Sequence, residues 1–100
     1  MKNELTAKIA DAAYKTNGRL VSCSIDEIGF RTGNAVVVHA MNGWAAITVD
    51  GKFHEEPGAE WPASVASAAK AVLLQFADEI ADELRAMAFD DAEAVAQGAY

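Results

Sequence analysis

The chain has 100 residues, 52% of them hydrophobic, and carries 15 acidic against 8 basic side chains, which gives a formal net charge of −7 at pH 7. This length predicts a single domain, residues 1–100, that can bury a core without disulfides or metals. The acidic balance disfavours direct contact with a nucleic-acid backbone and favours a basic protein partner. The single cysteine, Cys23, excludes an intramolecular disulfide and a cysteine-rich zinc site.

Membrane insertion and secretion are not indicated. No run approaches the roughly 20 apolar residues of a membrane helix. Charged residues are spread through residues 1–15, where a signal peptide would need an unbroken apolar segment. We therefore expect a soluble cytoplasmic protein.

The first predicted element is a helix from Asn3 to Thr16. Asn3 can accept a hydrogen bond from the first turn, and Asn17-Gly18 is expected to end the helix in a left-handed conformation. The apolar stripe of this helix consists of Leu5, Ile9, Ala12 and Thr16.

Alternating residues then predict an antiparallel meander of four or five strands. In the first strand, residues 19–25, the alternation places Val21, Cys23 and Ile25 on the core face and Leu20 on the other. Asp26-Glu27 is predicted as a turn into a second strand that begins at Ile28.

The connection at residues 32–34 decides which face the second strand presents. A two-residue turn would pair Phe30 with Val37, whereas a three-residue loop with Gly33 or Asn34 left-handed pairs Phe30 with Val36 and Ile28 with Val38. The three-residue loop is preferred because it collects the apolar side chains on one face.

Residues 35–49 form the central predicted hairpin. Asn42-Gly43 suits a two-residue type I′ turn, which would pair Met41 with Trp44. One face is wholly apolar and is predicted as core: Val36, Val38, Ala40, Ala45, Ile47 and Val49. The other, called the mixed face here, combines apolar and polar residues: Ala35, Val37, His39, Met41, Trp44, Ala46 and Thr48.

A short edge strand, residues 52–54, follows the Asp50-Gly51 turn. Two-residue pairing would put Phe53 on the mixed face, and a bulge would put it in the core, so both alternatives stay open. Residues 55–61 are predicted as a linker.

The longest predicted element is a helix from Pro62 to Phe89, with proline in its first turn. Its buried stripe recurs at steps of three and four: Val65, Ala69, Val72, Phe76, Ile80, Leu84 and Met87. Asp90-Asp91 is expected to cap a last short helix through Gln97. The predicted fold is an α+β two-layer sandwich with the helices on one face of the sheet.

No pattern predicts an enzyme, a cofactor or a metal site. Cys23 is assigned to the core face and His39 to the opposite face, so they do not form a thiol–imidazole pair. His54-Glu55-Glu56 lacks the ligand spacing of zinc and calcium sites.

Two surfaces are predicted to contact a partner. On the mixed face Trp44, Met41 and Val37, with Leu20 and Phe53 nearby and His39 and Arg31 as polar groups, would form an exposed apolar patch of the kind used in interfaces. A helix at either end of the chain could instead cover this face, or a second copy could. The other surface is acidic and carries Asp78, Glu79, Asp82 and Glu83, followed by Asp90, Asp91 and Glu93, with a second set at Glu55, Glu56 and Glu60.

The acidic surface has two interpretations: a solvated face that maintains solubility, or an array that occupies a basic groove on a partner. The second leads to the main functional hypothesis, a non-enzymatic inhibitor that occludes a basic, nucleic-acid-binding surface. Small acidic phage-encoded inhibitors share this size and charge, and the analogy is one of composition only. The alternative hypothesis is a homodimeric assembly factor or chaperone that docks through the mixed face.

Overall fold

The computed structural model describes residues 4–28 and 33–96, with the side chains from residue 88 onward left out. The element order is α1 (Glu4–Thr16), β1 (Leu20–Glu27), β2 (Asn34–Ala40), β3 (Gly43–Thr48), β4 (Phe53–Glu55), α2 (Ala63–Gln75) and α3 (Ala77–Ala96). The strands pair antiparallel in the order β1-β2-β3-β4. The described residues thus confirm an α+β fold with an antiparallel sheet. None of their helices has the length and hydropathy needed to cross a bilayer.

The three helices and one face of the sheet share the main hydrophobic core. Its buried members are Ile9, Ala13, Leu20, Val36, Val38, Ala45, Ile47, Val65, Ala69, Val72, Leu73, Phe76, Ile80 and Leu84. Burying each large aliphatic side chain contributes about 1.5–3 kcal/mol, so this cluster is the main source of stability. The predicted core residues of the central hairpin and of the long helical stripe are confirmed here, apart from the more exposed Val49 and the partly buried Ala40 and Met87.

The central hairpin pairs in a register two residues away from the predicted one. His39 lies opposite Trp44 and Val38 opposite Ala45, so the two-residue turn is Met41-Asn42. Gly43 does not have a positive φ, and no other residue of this turn has one. The predicted type I′ turn at Asn42-Gly43 is therefore wrong. The paired side chains stay on their predicted faces because side chains alternate with period 2 and a slip of two restores the pattern, whereas Met41 moves from the mixed face into the turn.

β1 continues through residues 26 and 27, where a turn was predicted. Asp26 pairs with Ala35 and Glu27 with Asn34, so Asp26-Glu27 is not a turn. Extending β1 satisfies the backbone groups of β2 directly, whereas a turn here would have lacked a glycine. Gly33 is left-handed, with a φ of 68°, but Val36 pairs with Ile25 and Val38 with Cys23, so the predicted three-residue loop pairing is wrong. Ile28, predicted to pair with Val38, lies outside any strand, and Phe30 itself lies outside the described residues.

A β-bulge at Val21 reverses the predicted orientation of the start of β1. The register shifts between Leu20 and Ser22. Because one extra residue is inserted, Leu20 points into the core together with Cys23 and Ile25. Leu20 is 0% exposed and Val21 is 63% exposed, which corrects the prediction for both.

α1 ends without a left-handed residue. Neither Asn17 nor Gly18 has a positive φ. The Asn17 side-chain oxygen instead accepts a hydrogen bond from the Arg19 N–H at 3.0 Å, and this turn leads the chain into β1. Thr16, predicted in the stripe, is exposed. The predicted cap, Asn3, lies outside the described residues.

The predicted long helix is two helices that meet at Phe76, whose φ of −105° and ψ of 14° interrupt α2. The apolar stripe continues across this break. α3 then runs from Ala77 to Ala96, so Asp90 and Asp91 are within a helix and do not cap a separate one. No glycine or proline stands between residues 77 and 96 to end α3 earlier.

β4 resolves the two alternatives for Phe53. Phe53 pairs with Ile47 and His54 with Ala46, so Phe53 is on the face of the sheet that packs against the helices. The four-residue connection closes with Gly51 at a φ of 82° and with the Thr48 hydroxyl donating to Asp50. That hydrogen bond, with the amide and charge of Lys52, lowers the pKa of the exposed Asp50 carboxyl.

A candidate docking groove at the hairpin tip

Trp61 packs directly on the backbone of Gly43. A Cβ built on Gly43 would lie 2.8 Å from Trp61 Cδ2 and 3.1 Å from the Cβ of Ala59, so only glycine permits this approach. The Glu56 N–H also donates to the Trp44 carbonyl at 3.1 Å. The segment predicted as a linker is therefore fixed against the sheet, and it brings Trp61 and Pro62 beside the β2–β3 turn.

A groove of about 410 Å³ opens at this point, and we call it the hairpin-tip groove. Its walls are Arg19, Val21, Ala40, Met41, Asn42, Trp61, Pro62 and Val65. Met41 is 93% exposed, and the bulge that buries Leu20 leaves Val21 exposed on the same groove. The start of β1, the hairpin turn and the first turn of α2 thus create an apolar surface that none of them could form alone.

A second depression adjoins the groove and shares Met41 and Asn42 with it. Its remaining residues are Glu56, Gly58, Ala59 and Glu60, and we call it the acidic depression. Among the described residues, neither Glu56 nor Glu60 forms an ion pair. The neighbouring Glu55 does, with Lys70 at 3.4 Å. The two carboxylates therefore give one side of the hairpin tip a negative potential.

The mixed face of the sheet is less accessible than its sequence indicated. Val37 is 2% exposed, and it forms a small cluster with the buried Ala35 and Ala46, against which Ile28 and Trp44 pack. Val37 is therefore not available to a partner. α1 packs on the opposite face, so it is not the cover. Whether the last helix covers the mixed face falls outside the described side chains, and so does Arg31.

On the mixed face, the side chain of His39 belongs to a hydrogen-bonded network with Ser24 and Asp26. Ser24 Oγ donates to Asp26 Oδ2 at 2.5 Å and lies 2.9 Å from His39 Nε2. Since the hydroxyl hydrogen is directed at the carboxylate, His39 Nε2 must be the donor in its own contact. In this arrangement Ser24 is not activated by a base, because a nucleophilic serine would donate its hydrogen to the imidazole.

The acidic surface of α3 is partly neutralised by nearby cations. Glu79 Oε2 lies 3.2 Å from Lys8 Nζ, and Asp82 Oδ1 lies 3.6 Å from Arg85. Asp78 is exposed and Glu83 half-buried, while the side chains of Asp90 and Asp91 are outside the described set. Such exposed pairs are worth at most about 1 kcal/mol, so a partner's cation could replace them.

The structure does not place Cys23 in a reactive setting. Its side chain packs beside the main core, and burial raises the pKa of the thiol to about 12. The described residues also contain no group of three or more histidine, cysteine, aspartate or glutamate side chains that could hold a metal ion.

We expect native Cys23 to resist alkylation. With a thiol pKa near 12, roughly one molecule in ten thousand carries the thiolate at pH 8. Iodoacetamide labelling followed by mass spectrometry should be slow in buffer and fast in urea. A native rate close to the rate in urea would return Cys23 to consideration as a nucleophile.

The sequence missed most of this groove, since Val21 was assigned to the core, Trp61 to a linker and Val65 to the buried stripe alone. One signal was present in the sequence. A glycine within a strand often marks the close approach of another group, so Gly43 could have indicated that a tryptophan side chain packs on this strand. Comparisons with protein-family models, with curated proteins and with solved structures find no match to this chain. Its function is therefore inferred from the groove itself.

Proposed function

We propose that this chain is a non-enzymatic protein-binding module that docks on a basic partner through the hairpin-tip groove. The observation that carries the proposal is Met41, 93% exposed at the edge of a groove whose other walls include Val21 and Trp61. Exposed apolar surface of this kind marks interaction sites, and methionine and tryptophan are enriched in them. The adjoining Glu56 and Glu60 and the net charge of −7 favour a cationic partner.

In its most specific form, the proposal is an inhibitor that occludes a basic, nucleic-acid-binding surface. The helices would form one layer and the sheet the other, with the groove at the end where the layers meet. Negative charge would then speed association, and the apolar groove would slow dissociation. A homodimer through the mixed face has less support, because Val37 and Ala46 are already buried.

The test compares two variants that are matched in exposure. Val21 and Leu74 are each 63% exposed, but only Val21 lines the groove. We expect Val21→Asp to abolish capture of a nucleic-acid-binding protein from nuclease-treated lysate of the source organism, and Leu74→Asp to retain it. Capture should weaken as salt rises from about 50 mM to about 0.5 M. The purified partner should then lose its nucleic acid when wild-type chain is added, and keep it when Val21→Asp is added.

Three further results are informative. Replacing Asp78, Glu79, Asp82 and Glu83 with Asn and Gln should weaken capture less than Val21→Asp does, because part of that surface is already paired. Capture that Val21→Asp leaves intact would contradict docking through the groove. Recovery of the chain alone, in a form that Trp44→Ser disrupts, would favour the homodimer.

A further inference from the structure

We infer that the hairpin-tip groove binds a short extended peptide segment in which one large apolar side chain is adjacent to, or two positions from, a lysine or arginine. This inference rests on the proposed docking function and specifies the partner chemistry. It follows from the volume of the groove, the position of the acidic depression and the location of Arg19.

The groove has room for one large anchoring side chain. Its volume of about 410 Å³ is near the lower end of the roughly 300–1,000 Å³ of small-ligand pockets. Trp61 offers an aromatic wall, on which another ring or a leucine can pack. Met41 is unbranched and exposed, so it can adjust to anchors of different shape. The groove therefore selects a large apolar side chain as a class.

The lysine or arginine of the bound peptide is expected on one side of the groove only. Glu56 and Glu60 lie in the depression across Met41 and Asn42, whereas Arg19 lines the apolar groove and not the acidic depression. A lysine placed toward Glu56 and Glu60 is attracted, and one placed toward Arg19 is repelled. Residues of an extended segment advance by roughly 3.3 Å each, so crossing the two-residue hairpin tip takes one or two positions.

The contact of Trp61 with Gly43 holds the groove in shape before a partner arrives. Trp61 Cδ2 would lie only 2.8 Å from a Cβ at position 43, which shows how closely the ring follows the backbone. A wall that is already ordered loses little conformational entropy on binding. A short peptide should therefore bind measurably without the rest of the partner.

The test uses three capped synthetic peptides: acetyl-Gly-Phe-Lys-Lys-Gly-amide, its Glu-Glu counterpart, and an Ala-Lys-Lys peptide without the anchor. The two indole N–H signals of the protein are followed by NMR, because Trp61 lines the groove and Trp44 does not. We expect the Phe-Lys-Lys peptide to shift the Trp61 signal and leave Trp44 in place. The Glu-Glu peptide should bind about tenfold more weakly, and the alanine peptide should not saturate.

Variants identify the groups responsible. Glu56→Gln combined with Glu60→Gln should reduce the affinity of the Phe-Lys-Lys peptide several-fold and raise that of the Glu-Glu peptide, because an attraction is lost in the first case and a repulsion in the second. Val21→Asp should abolish binding of the Phe-Lys-Lys peptide, and Leu74→Asp should leave it unchanged. Equal affinities for the two charged peptides, a response at Trp44 alone, or no binding at millimolar peptide would each overturn the inference.

Failure of the inference is distinguishable from failure of the proposed function. If no peptide binds while capture of a partner still depends on Val21, docking through the groove stands and the peptide selectivity is wrong. If capture does not depend on Val21, docking through the groove is wrong as well.

Discussion

Leu20→Ala is expected to lower the free energy of unfolding by about 3 kcal/mol, and Val21→Ala by less than about 1 kcal/mol. Leu20 is fully buried in the main hydrophobic core, so its truncation leaves a cavity. Val21 is largely solvated on the hairpin-tip groove. Urea denaturation of both variants and the wild type, followed by circular dichroism, measures the difference.

These neighbouring residues test the bulge itself. Strict alternation through β1 would bury Val21 and expose Leu20, and the order of the two effects would then reverse. A similar m-value for all three proteins would show that the change lies in stability and not in the extent of unfolding. A larger loss for Val21→Ala than for Leu20→Ala would contradict the bulge and remove Val21 from the groove.

Gly43→Ala is expected to destabilise the fold by about 2 kcal/mol, although it adds a single methyl group. That methyl group would meet Trp61 at 2.8 Å and Ala59 at 3.1 Å, so the indole must move away from β3. Gly18→Ala is the matched control, because its Cβ would meet only Tyr14 at 4.0 Å and Gly18 has no positive φ. This control should be neutral or slightly stabilising. Thermal unfolding and the tryptophan emission spectrum of both variants provide the comparison.

A double-mutant cycle assigns the cost of Gly43→Ala to Trp61. In a Trp61→Leu background the same substitution should cost about 1 kcal/mol less, since the shorter side chain can retreat. An unchanged cost in that background would place the clash elsewhere, for example at Ala59. Gly43→Ala should also weaken peptide binding in the groove, because it displaces one wall.

The sequence predicted which side chains face the core better than it predicted which strands pair. Periodicity alone carries the face assignment, so the stripe from Val65 to Leu84 and the hairpin residues Val36 and Val38 were correct. The predicted register of the hairpin was two residues away from the observed one because turn statistics favour Asn42-Gly43 as the turn. In the folded chain, Gly43 is instead in β3, where Trp61 packs on it. The bulge at Val21 could not be predicted from the sequence, because a single inserted residue leaves no recognisable pattern in a short run of alternating residues.

The candidate site was predicted only in part. Met41 was correctly singled out as an exposed apolar residue, but its neighbours in the groove come from β1 and α2, which periodicity does not bring together. Alternation assigned Val37 to the mixed face and could not tell that Val37 is buried there. The acidic residues of α3 were expected as one array, and Lys8, distant in sequence, pairs with one of them.

The hairpin-tip groove has walls from three separate parts of the chain, so it exists only when β1, the hairpin and α2 have all come together. An unfolded or partly folded chain presents no such surface, and a groove ligand consequently binds the native state alone. Binding must then raise the melting temperature of this protein as ligand is added. At a free partner concentration one hundred times its dissociation constant, the native state would gain about 2.7 kcal/mol. The abundance of the partner would thereby set how long each copy of this chain survives proteolysis.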